Sequence, residues 1–199
     1  MKKISLLLLT LLMSGLGLLA QNKKMLKAEP NHSTIGFAIP IANISKVTGK
    51  FTDYDLKIAW DENDPTQSTF EANIKVSSIN TGIPGRDKHL QSKMFFDAEN
   101  HPMITFKSSK IEKNPAGKNE YFAYGAFTMQ GVTKSVKMPF KYTGSSGKNT
   151  LGFSIQWTLN RQDYGVGSEF KHTTMKEFLG NNVEIQINFW TRKLKKKKK

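Results

Sequence analysis

The sequence predicts an all-β fold, closed as an antiparallel barrel, on three observations. Apolar residues alternate with polar ones in run after run, the period of a strand with one wet face. Clusters of Gly, Pro, Asn and Asp separate the runs at regular intervals. No Rossmann or P-loop glycine pattern and no heptad repeat interrupts them. About eight to ten strands emerge, most of them joined as hairpins. Long alternations with large apolar residues on one face favour an up-and-down barrel whose interior is either packed or holds a ligand.

The ends frame the domain. Lys2 and Lys3, the apolar run Ile4 to Leu12 and the small residue Ala20 read as a secretory signal peptide over 1–20. The continuous apolar run is too short for a spanning helix. Residues 21–30 read as a flexible lead-in, 31–190 as the barrel domain and 191–199 as a basic tail. The chain has no cysteine, so disulfides, thiolate metal sites and cysteine nucleophiles are excluded, as is a lipid anchor on cysteine. The expected location is the periplasm, or outside the cell, after cleavage. The net charge is +14, but Arg192 to Lys199 alone holds seven of the 30 basic residues and no acidic one. The high pI is therefore poor support for nucleic-acid binding, and no nucleic-acid partner is expected. A solvated tail is the plain reading, and attraction of Lys195 to Lys199 to anionic lipid is the sharper one.

In order, Ile35, Phe37 and Ile39 open the alternation, followed by Val47, Gly49 and Phe51, then by Leu56, Ile58 and Trp60. Phe70, Ala72, Ile74 and Val76 alternate with Glu71, Asn73 and Lys75. The break Thr81 to Gly85 leads to RDKHLQSKMFFDAENHP, where charged, aromatic and turn residues crowd together. Leu90, Met94 and Asp97 stand at helical spacing, which predicts a short helix over 86–94. Pro102 disfavours helix at His101, so the segment must end before it. A helical insert in an all-β chain is a natural lid for one end of a barrel. Strands then follow from Ile104 to Ile111 and from Tyr121 to Met129. The second of these is apolar on both faces, with Gly125 marking a bulge or a close approach. Gln130-Gly131 is a hairpin turn. Further alternations run through Val136 to Tyr142, Leu151 to Leu159 and Val183 to Phe189, with an irregular polar stretch between the last two.

Catalytic signatures are missing. The four histidines have no metal-ligand spacing, and there is no HExxH motif, no GxSxG elbow and no evident carboxylate pair. Arg86-Asp87 and Arg161-Asp163 are the notable charged pairs. They read as loop-fixing contacts or as a polar rim for an apolar ligand. The phenylalanine-rich face (Phe37, Phe51, Phe70, Phe106, Phe140, Phe153) reads equally as plain core.

The order of several short motifs adds to this. They are His32-Ser33 before Phe37, Gly49-Lys50-Phe51, Arg86-Asp87, His89-Leu90, Phe95-Phe96-Asp97, Gly131-Val132-Thr133-Lys134 and Asn160 to Gly165. Together they resemble the YceI-like family of exported lipid-binding proteins, over roughly 30–189. The resemblance implies a lipocalin-like, extended eight-stranded antiparallel barrel holding a long isoprenoid or related amphiphile, with no catalytic residue and no metal. It implies no cofactor beyond a bound isoprenoid quinone or polyprenyl lipid. The chain departs from its relatives at Pro40-Ile41, where many carry a lysine-histidine pair, at Gln130, where histidine is common, and at Ser135, where proline is common.

On this reading the chain is a carrier or sequestering protein. Alternation places Phe37, Ile39, Phe51, Phe106, Phe127, Phe153 and Ile155 along a pore, with Leu90, Phe95 and Phe96 closing one end. Arg86, Asp87, His89, Arg161 and Asp163 are expected at the rim or as holders of the lid, and the second role is favoured. The competing readings are a quinone-dependent redox protein using His89 as proton donor and a surface-interaction module. An exposed edge, or the doubly apolar strand Tyr121 to Met129, would serve a homodimer.

Overall fold

A computed structural model describes residues 23–193. The strands are β1 (Lys24–Ala28), β2 (Thr34–Ile41), β3 (Ser45–Phe51), β4 (Tyr54–Trp60), β5 (Thr69–Lys75), β6 (Ile79–Asn80), β7 (Met103–Lys113), β8 (Glu120–Met129), β9 (Val132–Ser145), β10 (Leu151–Asn160) and β11 (Asn182–Lys193). Among the described residues one α-helix, α1 (Pro84–Gln91), stands between β6 and β7. Every strand pairing is antiparallel.

The sheet closes into an eight-membered ring, β1-β4-β5-β7-β8-β9-β10-β11 and back to β1. Three positions in the wall are bent strands. Thr191 to Lys193 of β11 pair with β1, whereas Glu184 to Asn188 pair with β2, so β1 and β2 share one edge of β11. Likewise β3 runs on into β4 after Thr52-Asp53, and β5 into β6 through the turn Val76–Ser78. Beyond the ring, β2, β3 and β6 continue the sheet from β11. Among the described residues the sheet has no strand beyond the two-residue β6, and α1 packs beside β6.

Local chemistry explains the irregular points. Pro84 fits the first turn of α1, where its missing N–H is no loss. The helix lies two residues earlier than the spacing predicted and ends at Gln91, because Ser92 leaves helical geometry and its N–H donates back to His89 O. A Cβ on Gly125 would stand 2.2 Å from Lys107 O, so only glycine permits this approach of β8 to β7. The β7 register shifts beside it, between Ser108 and Lys110. Gln130 and Gly131, both at positive φ, form the tight β8–β9 turn.

Two expectations need correction. Residues 21–30 are not a loose lead-in throughout, because Lys24–Ala28 is a wall strand with Leu26 1 % exposed. The tail does not begin at 191, because Thr191 is wholly buried and its hydroxyl accepts from Leu151 N and donates to Asn149 O. The strand Tyr121 to Met129, expected to serve a homodimer, is paired on both sides and so presents faces rather than an edge. Its outer aromatics are partly capped, with Lys137 Nζ 3.9 Å above the Phe122 ring. The proposed signal peptide and Lys195 to Lys199 lie outside the described residues.

Candidate functional site: an apolar cavity at one end of the barrel

The interior divides along the barrel axis. The end nearest β1 is solid. Trp60 packs on Tyr121, Tyr142 and Phe153 with ring centres 5.8, 5.3 and 5.1 Å away. Phe189 stacks between Phe153 (5.1 Å) and Phe70 (5.7 Å, nearly parallel), and this stack forms a floor. Above it lies a cavity of about 380 Å³. Its wall is apolar almost throughout, from Phe70, Phe106 and Met138 at the floor to Ile39, Ile41 and Val47 higher up.

Of the residues expected on the pore, Phe37, Ile39, Phe51, Phe106 and Phe127 line this cavity, and so do Leu90, Phe95 and Phe96. Phe153 and Ile155 do not. They face inward as alternation requires, but at the solid end, where they are 2 % and 1 % exposed against neighbouring side chains. On the same face of β10, Trp157 and Leu159 do reach the cavity.

Of the polar residues, Arg86, His89 and Arg161 border the cavity, and Asp87 and Asp163 do not. Arg86 and His89 line the cavity from α1. Arg86 Nε and Nη2 donate to Thr81 Oγ1 and Thr81 O, while Asp87 accepts from Thr81 N (2.8 Å) and the Thr81 hydroxyl. Thr81 thus fastens the first turn of α1 to the end of β6, and Asp87 points to this latch rather than to the cavity. His89 is exposed and meets Phe95 edge-on at 5.0 Å. Arg161 is 5 % exposed and all its donors face protein. It donates to the carbonyls of Gly180 (2.9 Å), Val166 (2.7 Å), Gly167 (2.7 Å) and Leu179 (3.3 Å) and to Asn181 Oδ1 (3.1 Å). Burial lowers its pKa, yet a guanidinium so far above neutrality stays charged. Asp163 departs from the expected rim: it is exposed on the outside, paired with Lys134 at 3.4 Å.

Sequence reasoning passed over Phe170, Phe178 and Leu179, which also line the cavity. They belong to the loop 165–181, which read as irregular and polar as far as Glu177. Its only large aromatics were the available signal. His89 stands 6.2 Å from Phe170, and Gly180 N donates to Pro40 O, so α1, this loop and the β2–β3 hairpin meet around the mouth. Among the described residues no group of three or more His, Cys, Asp or Glu is placed to hold a metal.

A profile of the YceI-like domain matches residues 26–190. The chain belongs to the YceI-like family. Among its YceI-like relatives, a UPF0312 protein of Pectobacterium atrosepticum is 32% identical over 170 residues, spanning 83% of this chain and 86% of the relative. Burkholderia cenocepacia BcnA shares the fold with a TM-score of 0.72 at 22% identity, covering 82% of this chain and 98% of BcnA. A polyisoprenoid binding domain from Saccharophagus degradans, implicated in plant cell wall breakdown, superposes with a TM-score of 0.62 at 12% identity, over 85% of this chain and 98% of that domain. The YceI-like barrel is thus the scaffold, and the cavity is what this chain builds into it.

Proposed function

We propose that the protein binds a long isoprenoid or a similar amphiphile in this cavity and works as an exported carrier or sequestering protein, rather than as an enzyme. The observation that carries the reading is the cavity itself, a void of about 380 Å³ walled by aliphatic and aromatic side chains above an aromatic floor. Such a void stays open to an apolar guest because water finds few polar partners in it. Each methylene moved into it from water contributes roughly 0.8 kcal/mol. The volume is at the small end of ligand pockets. It takes the terminal part of a long chain, with the remainder and the head group passing α1 and the loop 165–181. The structural neighbour described as a polyisoprenoid binding domain supports this ligand class, and an isoprenoid quinone or a polyprenyl lipid fits it equally. Arg86 and His89 are the polar groups that a head group would pass. Arg161 spends its donors inside the protein and serves the scaffold. The basic start and apolar run of residues 1–20 support export to the periplasm or beyond. The run Lys195 to Lys199 would add weak attraction to anionic lipid.

Native mass spectrometry on gently purified protein, followed by titration with polyprenol and with an isoprenoid quinone, tests the reading. One bound chain per protein is expected, and Ile39→Trp, which extends a lining residue into the void, is expected to weaken binding at least tenfold. An empty protein that takes up neither ligand would remove it.

A further inference from the structure

Two exposed hydrophobic residues stand at the cavity mouth. Ile44 is 88 % exposed, more than any other large apolar residue described, and Met175 is 49 % exposed. A lone exposed apolar side chain is ordinary, but each of these lies between residues that line the cavity. Ile41 and Val47, the stems of the β2–β3 hairpin, line the cavity, and Ile44 lies at the tip between them. Phe170 and Phe178 line it from the loop 165–181, and Met175 lies between those two.

The two tips are neighbours. Ala42 N donates to Phe178 O at 2.7 Å, and Ile41 bridges to Leu179. Both are set in built turns. Ala42 and Asn43 take positive φ of 50° and 56°, and Ile44 N closes the turn on Ile41 O. For alanine that backbone carries strain. His172 Nδ1 accepts from Thr174 N and Met175 N, and its ring stacks on Phe178 at 4.1 Å. Lys171 and Lys176 flank Met175, exposed and, among the described residues, in no ion pair, beside the exposed Glu169 and Glu177.

We infer that this rim docks on a lipid bilayer: Ile44 and Met175 enter the interface, and Lys171 and Lys176, balanced by Glu169 and Glu177, lie at the level of the head groups. The cavity mouth then opens onto the reservoir of its cargo. Shallow apolar insertion beside lysines is the chemistry of interfacial binding, and a greasy guest delivered this way avoids crossing water. The inference rests on the lipid-binding reading above.

The absence of cysteine makes the test clean. In the full mature chain, Ile44→Cys, Met175→Cys and, at the opposite end of the barrel, Asn63→Cys each carry one polarity-sensitive fluorophore. Vesicles of phosphatidylethanolamine and phosphatidylglycerol are expected to blue-shift the labels at 44 and 175 and to leave the label at 63 unchanged. Ile44→Asp is expected to slow polyprenol transfer from these vesicles at least tenfold while loading from detergent stays normal. Labels at 44 and 175 that do not move, or a label at 63 that moves as far, would overturn docking. So would a blue shift that grows with protein concentration alone, which would mean that the rim meets a second copy. Loading from detergent is the separate readout for the cavity. If the unsubstituted chain fails there, the lipid reading falls; if it loads and the labels stay still, docking alone falls.

Discussion

At Gly49 a Cβ would stand 2.3 Å from Phe37 Cζ and 2.9 Å from Thr81 Cγ2. Phe37 and Gly49 are direct partners across the β2–β3 pair, so the ring lies over the bare glycine backbone and covers it. The glycine matters for space, not for backbone freedom. It lets Phe37 lie along the wall, where it also meets Phe51 at 5.8 Å. In Gly49→Ala the methyl group meets the ring, and Phe37 must swing toward the void. Overpacking of this kind costs about 1–3 kcal/mol. Where the ring has empty space to enter, the low end is expected. The larger effect is expected on loading: a narrower cavity and polyprenol affinity reduced at least fivefold, measured by titration under native mass spectrometry. Unchanged affinity with an unmoved ring would show that Thr81 yields instead.

The loop 165–181 is an element without regular structure, yet Arg161 organises it. Its planar fork reaches four carbonyls and one side-chain oxygen, a set that lysine could not match. Arg161→Met fills similar volume but leaves these acceptors without their donor. A buried acceptor left unpaired costs about 1–3 kcal/mol. With some acceptors regaining water, a net loss of about 3 kcal/mol is expected in urea unfolding. Amide exchange should quicken over 165–181, while Asp163→Asn, which touches only a surface pair, should stay within about 0.5 kcal/mol of the parent. An Arg161→Met protein with unaltered exchange in the loop would contradict this role. The same loop shows where the sequence was legible and where it was not. Alternation gave the faces of the strands, because period two depends on the backbone alone. It set Phe153, Ile155, Trp157 and Leu159 on one face correctly. It gave no height along the axis, since height depends on stagger between strands far apart in sequence, and so the first two were misplaced into the cavity. Phe170 and Phe178 follow no period, because bonds from Arg161 to nearby carbonyls and bonds between the loop and the β2–β3 hairpin, and not a strand of their own, put them there. Lys24–Ala28 escaped notice for a related reason: a five-residue strand at a barrel seam alternates too briefly to be seen.

On the scale of the whole molecule, the barrel is packed solid at one end and hollow at the other, and this division separates stability from binding. Trp60 lies in the solid end, 2 % exposed and held by three aromatic rings. Trp60→Ala is therefore expected to cost about 3–5 kcal/mol. Ile39, half-buried at the hollow end, faces the void, so Ile39→Trp should cost no more than about 1 kcal/mol. A ligand that binds only the folded state stabilises it by RT ln(1 + [L]/Kd), about 2.7 kcal/mol at a hundredfold excess over Kd. The two variants should then respond in opposite ways. Urea unfolding with and without polyprenol should show the parent's full ligand-induced shift in Trp60→Ala, despite its low baseline. Ile39→Trp should keep a near-parental baseline and lose most of the shift. The reverse pattern, with the shift lost in Trp60→Ala and kept in Ile39→Trp, would place the guest at the solid end and break the link between the void and binding.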